Sequence, residues 1–200
     1  VYTFTLRQDA KWSDGQTVTA HDYEYGMKRL CDPAAACPAS YLGAVLKNGA
    51  AVTAGEVPVD ELGVKALDDF TLEITLENPA DYFVGMLSMS AFMPVRQDIV
   101  EQYGAEFGGG ADKQVYNGPF VATEFGEGRL AMAKNENYYD ADKIMLDGVE
   151  ILTVADKTTA VSMFDAGDLD LAEVPSELAP QYEGQTLSYY SGANDFAALN

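Results

Sequence analysis

Apolar and polar residues alternate over two stretches in the first half of the chain. Residues 1–7 alternate and predict a strand. Over residues 70–77, apolar side chains fall on one face and Thr and Glu side chains on the other, which predicts a strand with one buried face. The pair Asp68-Asp69 directly before it predicts the bend of a hairpin with residues 64–67.

The first half also contains a strong helical pattern. Apolar residues spaced by four and three positions predict a helix over residues 20–31. Thr19, followed three positions later by Asp22, predicts a capping-box start for this helix. Shorter helices are predicted over residues 81–89 and 97–104.

In the second half, the pattern predicts strands and helices in turn. A hairpin is predicted around the glycine-rich turn at residues 126–128. A strand, a helix and a strand then follow with short joins, at residues 149–154, 157–166 and 169–174. This order predicts a crossover unit in a mixed sheet, and with it an α+β fold. Residues 176–183 are predicted to be helical and residues 186–200 extended.

Both ends of the chain lie inside strand-like alternation, and the first residue is Val1 rather than Met. Strands rarely begin at the first residue of a complete protein. We therefore expect this chain to be a piece of a longer one.

Composition and charge exclude two classes of binding partner. The 200 residues carry 32 Asp and Glu against 12 Lys and Arg, for a formal net charge of −20. Nucleic acids and anionic membrane surfaces repel such a polyanion, so neither is expected as a partner. The hydrophobic fraction of 48% is enough for a folded core.

Two cysteines, Cys31 and Cys37, bracket a turn-prone loop after the predicted helix. The spacing favours a structural disulfide, with two unpaired thiols as the alternative. A zinc site would need two more ligands, and none lies near in sequence. The disulfide interpretation favours an exported protein.

No catalytic or metal motif emerges from the sequence, and no cofactor is expected. His21 is the single histidine, which excludes a multi-histidine metal site, and its place in the first turn of a helix favours a surface residue over a base. Asp140-Ala141-Asp142 begins like a calcium loop but lacks the later ligands. The pairs Tyr138-Tyr139 and Tyr189-Tyr190 could stack on a ligand, although packing is the commoner role.

Several segments, in order along the chain, resemble the extracellular solute-binding proteins of family 5, which serve peptide importers of the ABC type. They include Tyr2-Thr3-Phe4-Thr5-Leu6-Arg7, Ala10-Lys11-Trp12-Ser13-Asp14-Gly15, Val18-Thr19-Ala20-His21-Asp22, Asn117-Gly118-Pro119-Phe120, Asn135-Glu136-Asn137-Tyr138-Tyr139-Asp140 and Ala166-Gly167-Asp168-Leu169-Asp170. The resemblance covers essentially the whole chain.

The resemblance implies part of a two-lobed clamp, periplasmic-binding-protein-like, class II and of the peptide-binding type. Residues 1–95 would form the extra small subdomain of the first lobe. Residues 96–200 would form the central part of lobe I, and the second lobe would be absent.

The same resemblance implies that a peptide binds between the lobes and is passed to membrane permease subunits. It implies a monomer outside the cytoplasm, either a cell-surface lipoprotein or a periplasmic protein, with no enzymatic activity. The residues expected near the ligand are Tyr41, Glu173, Val174, Pro175, Ser191, Asn194 and Phe196. Two other functions remain open from the sequence: a carboxylate-based hydrolase, and a surface sensor or adhesin that kept the binding fold.

Overall fold

The computed structural model describes residues 1–187. The strands are β1 (Tyr2–Thr5), β2 (Val64–Asp68), β3 (Thr71–Ile74), β4 (Phe120–Gly126), β5 (Arg129–Lys134) and β6 (Gly148–Leu152). The helices are α1 (Ala20–Cys31), α2 (Gly49–Thr53), α3 (Phe83–Met86), α4 (Gln97–Tyr103) and α5 (Lys157–Ala166). Short 3₁₀ turns lie at Pro33–Ala35, Ser40–Val45, Val59–Glu61, Ser90–Phe92, Gly104–Glu106, Ala141–Lys143 and Ala179–Tyr182.

The first sheet has the strand order β1-β3-β2, with both pairs antiparallel. Leu72 and Ile74 of β3 are buried, because the alternation that the sequence shows turns them to one face. Met27 and Leu30 of α1 belong to the same buried cluster. The hairpin predicted before residue 70 is confirmed.

Helix α1 begins and ends where the sequence predicted. The backbone N–H of Thr19 donates to the Asp22 carboxylate at 2.8 Å, which confirms the capping box. The indole N–H of Trp12 also reaches this carboxylate, at 3.2 Å. Asp22 therefore joins the start of the helix to the preceding turn.

The segment after residue 93 is closely held. The backbone N–H of Val95 donates to the carbonyl of Asp22 at 3.0 Å. Arg96 is buried, and its guanidinium donates to Asp14 at 3.0 Å and to both carboxylate oxygens of Asp98 at 2.7 and 2.6 Å. The hydrogen bonds that Arg96 donates to Asp98 and Asp14 raise the pKa of Arg96, and Arg96 in turn lowers the pKa of Asp98.

The second sheet has the strand order β4-β5-β6. The predicted hairpin between β4 and β5 is confirmed, and its turn carries positive φ at Gly126 (149°), Glu127 (46°) and Gly128 (82°). Glycine at two of these positions removes most of the steric cost of the left-handed backbone.

The chain divides into two compact units, Val1–Ile151 and Leu152–Asn200. The subdomain division between residues 95 and 96 stays a prediction. In the second unit, α5 has the predicted bounds, and the Asp156 side chain caps it by accepting from the Thr159 N–H at 2.7 Å.

Two predictions in the second half are corrected, and a third is not tested. Residues 169–174 form no strand, so the predicted crossover unit is wrong. Helix α5 ends at Ala166, the next residue Gly167 has φ 83°, and Leu171 is exposed. The predicted helix over residues 176–183 is a 3₁₀ turn at Ala179–Tyr182. The predicted extended segment 186–200 lies almost wholly outside the described residues.

Candidate ligand-contact site

Tyr41 lies in the 3₁₀ turn Ser40–Val45 and is 71% exposed. This turn packs on α1 through Gly43, because a Cβ at Gly43 would come within 2.2 Å of the Cys31 sulfur. Gly49 packs on Gly43 in the same way, with a Cβ position 1.8 Å from the Gly43 carbonyl oxygen. These close approaches fix the position of the turn that carries Tyr41.

A second segment, residues 77–86, lies beside this turn. The bridge between Leu46 and Leu76 continues the line of β3, and the N–H of Glu77 donates to the carbonyl of Val45 at 3.0 Å. Phe83 anchors the segment, since it is fully buried and its ring lies 5.3 Å from that of Tyr2. The preceding residue, Tyr82, is 68% exposed.

The turn and the segment enclose an open hollow of about 310 Å³, which we call the Tyr41 hollow. Its lining includes two exposed tyrosines, aliphatic side chains and two polar residues: Tyr41, Val45, Glu77, Asn78, Tyr82 and Met86. A concave site with apolar walls and a few polar groups is the usual form of a small-ligand site.

The carboxylate of Glu77 is fixed in position. The backbone N–H of Asn48 donates to Glu77 Oε2 at 2.9 Å. Asn48 itself has a left-handed backbone, with φ 63°, and its side-chain amide donates to the carbonyl of Glu61 at 2.8 Å. The Glu77 carboxylate is thus hydrogen-bonded to the backbone at Asn48, and the Asn48 side chain is itself hydrogen-bonded to Glu61.

The other expected contact residues lie in the second unit or outside the described chain. Glu173 is exposed and forms an ion pair with Lys157, while Val174 and Pro175 are half-buried. The Pro175 carbonyl accepts the N–H groups of Leu178 and Ala179 and so begins a turn.

Of the remaining expected contacts, Ser191, Asn194 and Phe196 lie outside the described residues.

A second open hollow, of about 410 Å³, lies in the first unit and is more polar. Its lining includes Ser13, Tyr116, Lys134 and Asn137. Its amides are largely engaged within the protein: the Asn137 side chain donates to the carbonyl of Ser13 at 2.9 Å. No sequence pattern predicted this hollow.

Cys31 and Cys37 are not bonded to each other in this structure, and the disulfide stays a prediction, with two free thiols as the alternative. Cys31 is buried with its sulfur against Gly43, whereas Cys37 is partly exposed. Burial raises the pKa of the Cys31 thiol, which keeps it protonated at neutral pH and unsuited to nucleophilic attack.

Other candidate chemistry has a structural explanation. The guanidinium of Arg7 lies 3.2 Å from the ring centre of Tyr139, so a face of that ring is already covered. Among residues 1–187, no group of three or more His, Cys, Asp and Glu side chains is arranged to hold a metal ion. No helix in that range is both long and apolar enough to cross a membrane.

Comparison with known proteins decides the family. The model for bacterial extracellular solute-binding proteins, family 5 Middle, matches residues 1–200. The chain belongs to this family. Its members are solute-binding proteins, and the α+β fold of this family-5 chain is that of part of a peptide-binding clamp.

Individual curated relatives support this family assignment. The chain is 40% identical over 181 residues to the dipeptide-binding protein DppE of Bacillus subtilis, covering 90% of this chain and 33% of DppE. It is 39% identical over 185 residues to the probable deoxycholate-binding periplasmic protein YgiS of Escherichia coli, covering 91% of this chain and 34% of YgiS. The chain thus spans about a third of the length of these curated relatives.

Solved structures also match most of the chain. OppA of Listeria monocytogenes, bound to peptide, has a TM-score of 0.86 and 35% identity, covering 91% of this chain and 36% of OppA. The substrate-binding domain of an oligopeptide ABC transporter from Bacillus anthracis has a TM-score of 0.86 and 38% identity, covering 90% of this chain and 35% of that one.

The sequence predicts a ligand contact at Tyr41, a prediction that stays open, and carries no such signal for Glu77 and Tyr82. The alternation placed Glu77 on the solvent face of a strand, and Tyr82 fell in a predicted helix. Only the pairing of residues 45–47 with the end of β3 brings these side chains together.

Proposed function

We propose that this family-5 chain is part of the ligand-binding component of an ABC importer that captures peptides outside the cytoplasm. The observation that carries the proposal is the match to a peptide-bound OppA over 91% of the chain, at a TM-score of 0.86. The likeness to DppE supports the same ligand class.

Capture requires contacts and closure rather than bond chemistry. An extended peptide is held by backbone hydrogen bonds in the manner of an added strand, and closure of two lobes follows when the ligand makes contacts absent from the open state. The complete protein then delivers the peptide to permease subunits. It acts as a monomer, either as a surface lipoprotein or free in the periplasm, and does not cleave its ligand.

The ligand contacts that we propose in this chain are Tyr41, Glu173, Val174, Pro175, Ser191, Asn194 and Phe196. The exposure of Tyr41 at an open hollow supports its assignment, because an exposed aromatic ring offers a large apolar surface with little loss of side-chain freedom on binding.

Native mass spectrometry of the full-length protein that contains this chain, purified without refolding, tests the proposal. We expect a series of co-purified peptide masses. A single non-peptide mass, such as a bile acid of the kind named for YgiS, or a protein that binds no peptide after its ligand is stripped, would contradict the peptide assignment.

A second measurement separates a receptor from a hydrolase. A defined peptide incubated with the stripped protein is expected to be recovered at its original mass. Cleavage of that peptide, lost when one carboxylate is neutralised, would favour the hydrolase.

A further inference from the structure

The Tyr41 hollow contains an acid without a basic partner. The Glu77 carboxylate accepts one backbone N–H, from Asn48, and no Lys, Arg or His side chain among residues 1–187 lies within ion-pair distance of it. One backbone hydrogen bond leaves most of the acceptor capacity of a carboxylate unused. The hollow therefore presents a negative charge that no described side chain of this protein neutralises.

The same hollow presents two aromatic rings. Tyr41 and Tyr82 lie on different segments, and both are more than two-thirds exposed although their rings are largely apolar. The face of a tyrosine ring attracts a cation through its quadrupole. Two such rings and a carboxylate in one lining favour a positively charged group.

The remaining lining suits an aliphatic stem. Val45 and Met86 contribute apolar surface to the hollow, and its volume of about 310 Å³ accommodates a long side chain. Lysine and arginine both combine an apolar stem with a charged head, and they cover apolar surface while the head stays near polar groups.

The net charge of the whole chain also favours a positively charged ligand. A formal net charge of −20 attracts cationic ligands over several ångströms and repels anionic ones, most strongly at low ionic strength. An acidic peptide side chain in the hollow would also face the Glu77 carboxylate directly.

We propose that the Tyr41 hollow binds a lysine or arginine side chain of the peptide, with Glu77 as the residue that determines this specificity. The inference rests on the proposed function and deepens it, since it names the class of peptide preferred. Tyr41 and Tyr82 hold the cationic head against their rings, and Glu77 supplies the opposite charge.

Calorimetry on the full-length protein, stripped of bound ligand and measured at low salt, tests the inference. The probes are pentapeptides of alanine carrying one lysine at each position in turn, each paired with a norleucine peptide that has a similar stem and no charge. We expect one position at which lysine binds about fivefold to tenfold tighter than norleucine, and a preference that weakens as salt is raised.

Two variants locate the effect. Glu77→Gln keeps an oxygen that can accept the Asn48 N–H but removes the charge, so it should abolish the preference for lysine over norleucine. Glu56→Gln removes the same charge from an exposed position outside the hollow lining and should keep the preference. Circular dichroism melting of both variants checks that they fold.

The outcomes separate the two proposals. Peptide binding with no lysine preference at any position, or a preference that survives in the folded Glu77→Gln variant, overturns this inference and leaves the peptide receptor standing. Failure of every peptide to bind overturns both.

Discussion

The two three-stranded sheets of the first unit differ in how they are covered. In the first sheet, Val64, Leu72 and Ile74 are buried in a cluster that includes residues of α1. In the second sheet, residues 1–187 bury no residue of β4, β5 or β6, and Phe125 and Ile151 are about half exposed. Both sheets have regular backbone pairing, so the pairing alone does not create a core.

The comparison indicates that the first sheet contributes more to the stability of this chain than the second. A strand is stabilised mainly by what packs on its faces, and the first sheet has a 12-residue helix on one of them. We therefore expect matched substitutions in the two sheets to have unequal effects.

The largest contrast is expected from the same substitution in both sheets. Ile74→Ala removes a fully buried side chain and should lower the free energy of unfolding by about 3 kcal/mol, through lost burial and the cavity left behind. Ile151→Ala removes a half-exposed side chain and should cost less than about 1 kcal/mol. Urea denaturation of the 200-residue chain measures both, and equal losses would refute the contrast between the sheets.

A smaller contrast is expected from two arginines. Arg96→Met removes a buried guanidinium and leaves Asp14 and Asp98 without their cation, at a cost of about 2 kcal/mol. Arg129→Met removes an exposed side chain that pairs with Glu124 and Glu150 on the second sheet, and because solvent screens such pairs we expect a smaller loss of stability than for Arg96→Met. The same denaturation experiment compares them, and the idea fails if Arg129 proves the more costly loss.

The smallest effect is expected from pH. Arg96 lowers the pKa of Asp98 below the ordinary value of 3.8 in the folded chain, so the interaction stabilises the fold above that value and is lost as pH falls through the lower, folded pKa. The stability difference between wild type and Asp98→Asn should therefore be present at pH 6 and shrink once the pH falls below about 4. Urea denaturation at several pH values measures this difference in unfolding free energy. A difference that stays constant from pH 6 to pH 2.5 would show that Arg96 does not hold the Asp98 carboxylate ionised.

Local signals predicted much of the fold. The bounds of α1 and α5 follow from apolar spacing and from capping residues, Thr19 with Asp22 in one case and Asp156 in the other. These interactions span three or four residues, so the sequence contains all of their components.

Predictions that depended on distant partners were less successful. Residues 169–174 alternate, but a strand also needs a neighbour to hydrogen-bond with, and the residues after α5, which ends at Ala166, form no strand. The disulfide between Cys31 and Cys37 stays a prediction, and in the structure the Cys31 sulfur packs on Gly43.

The sequence by itself determined the family, the charge and the limits of α1 and α5, because ordered motifs, composition and the local spacing of apolar residues are all read from neighbouring residues. The tertiary structure alone decided the Tyr41 hollow. Glu77 and Tyr82 come beside Tyr41 only because residues 45–47 pair with the end of β3, some thirty residues away in the chain. Such a meeting depends on long-range backbone hydrogen bonds, for which periodicity carries no signal.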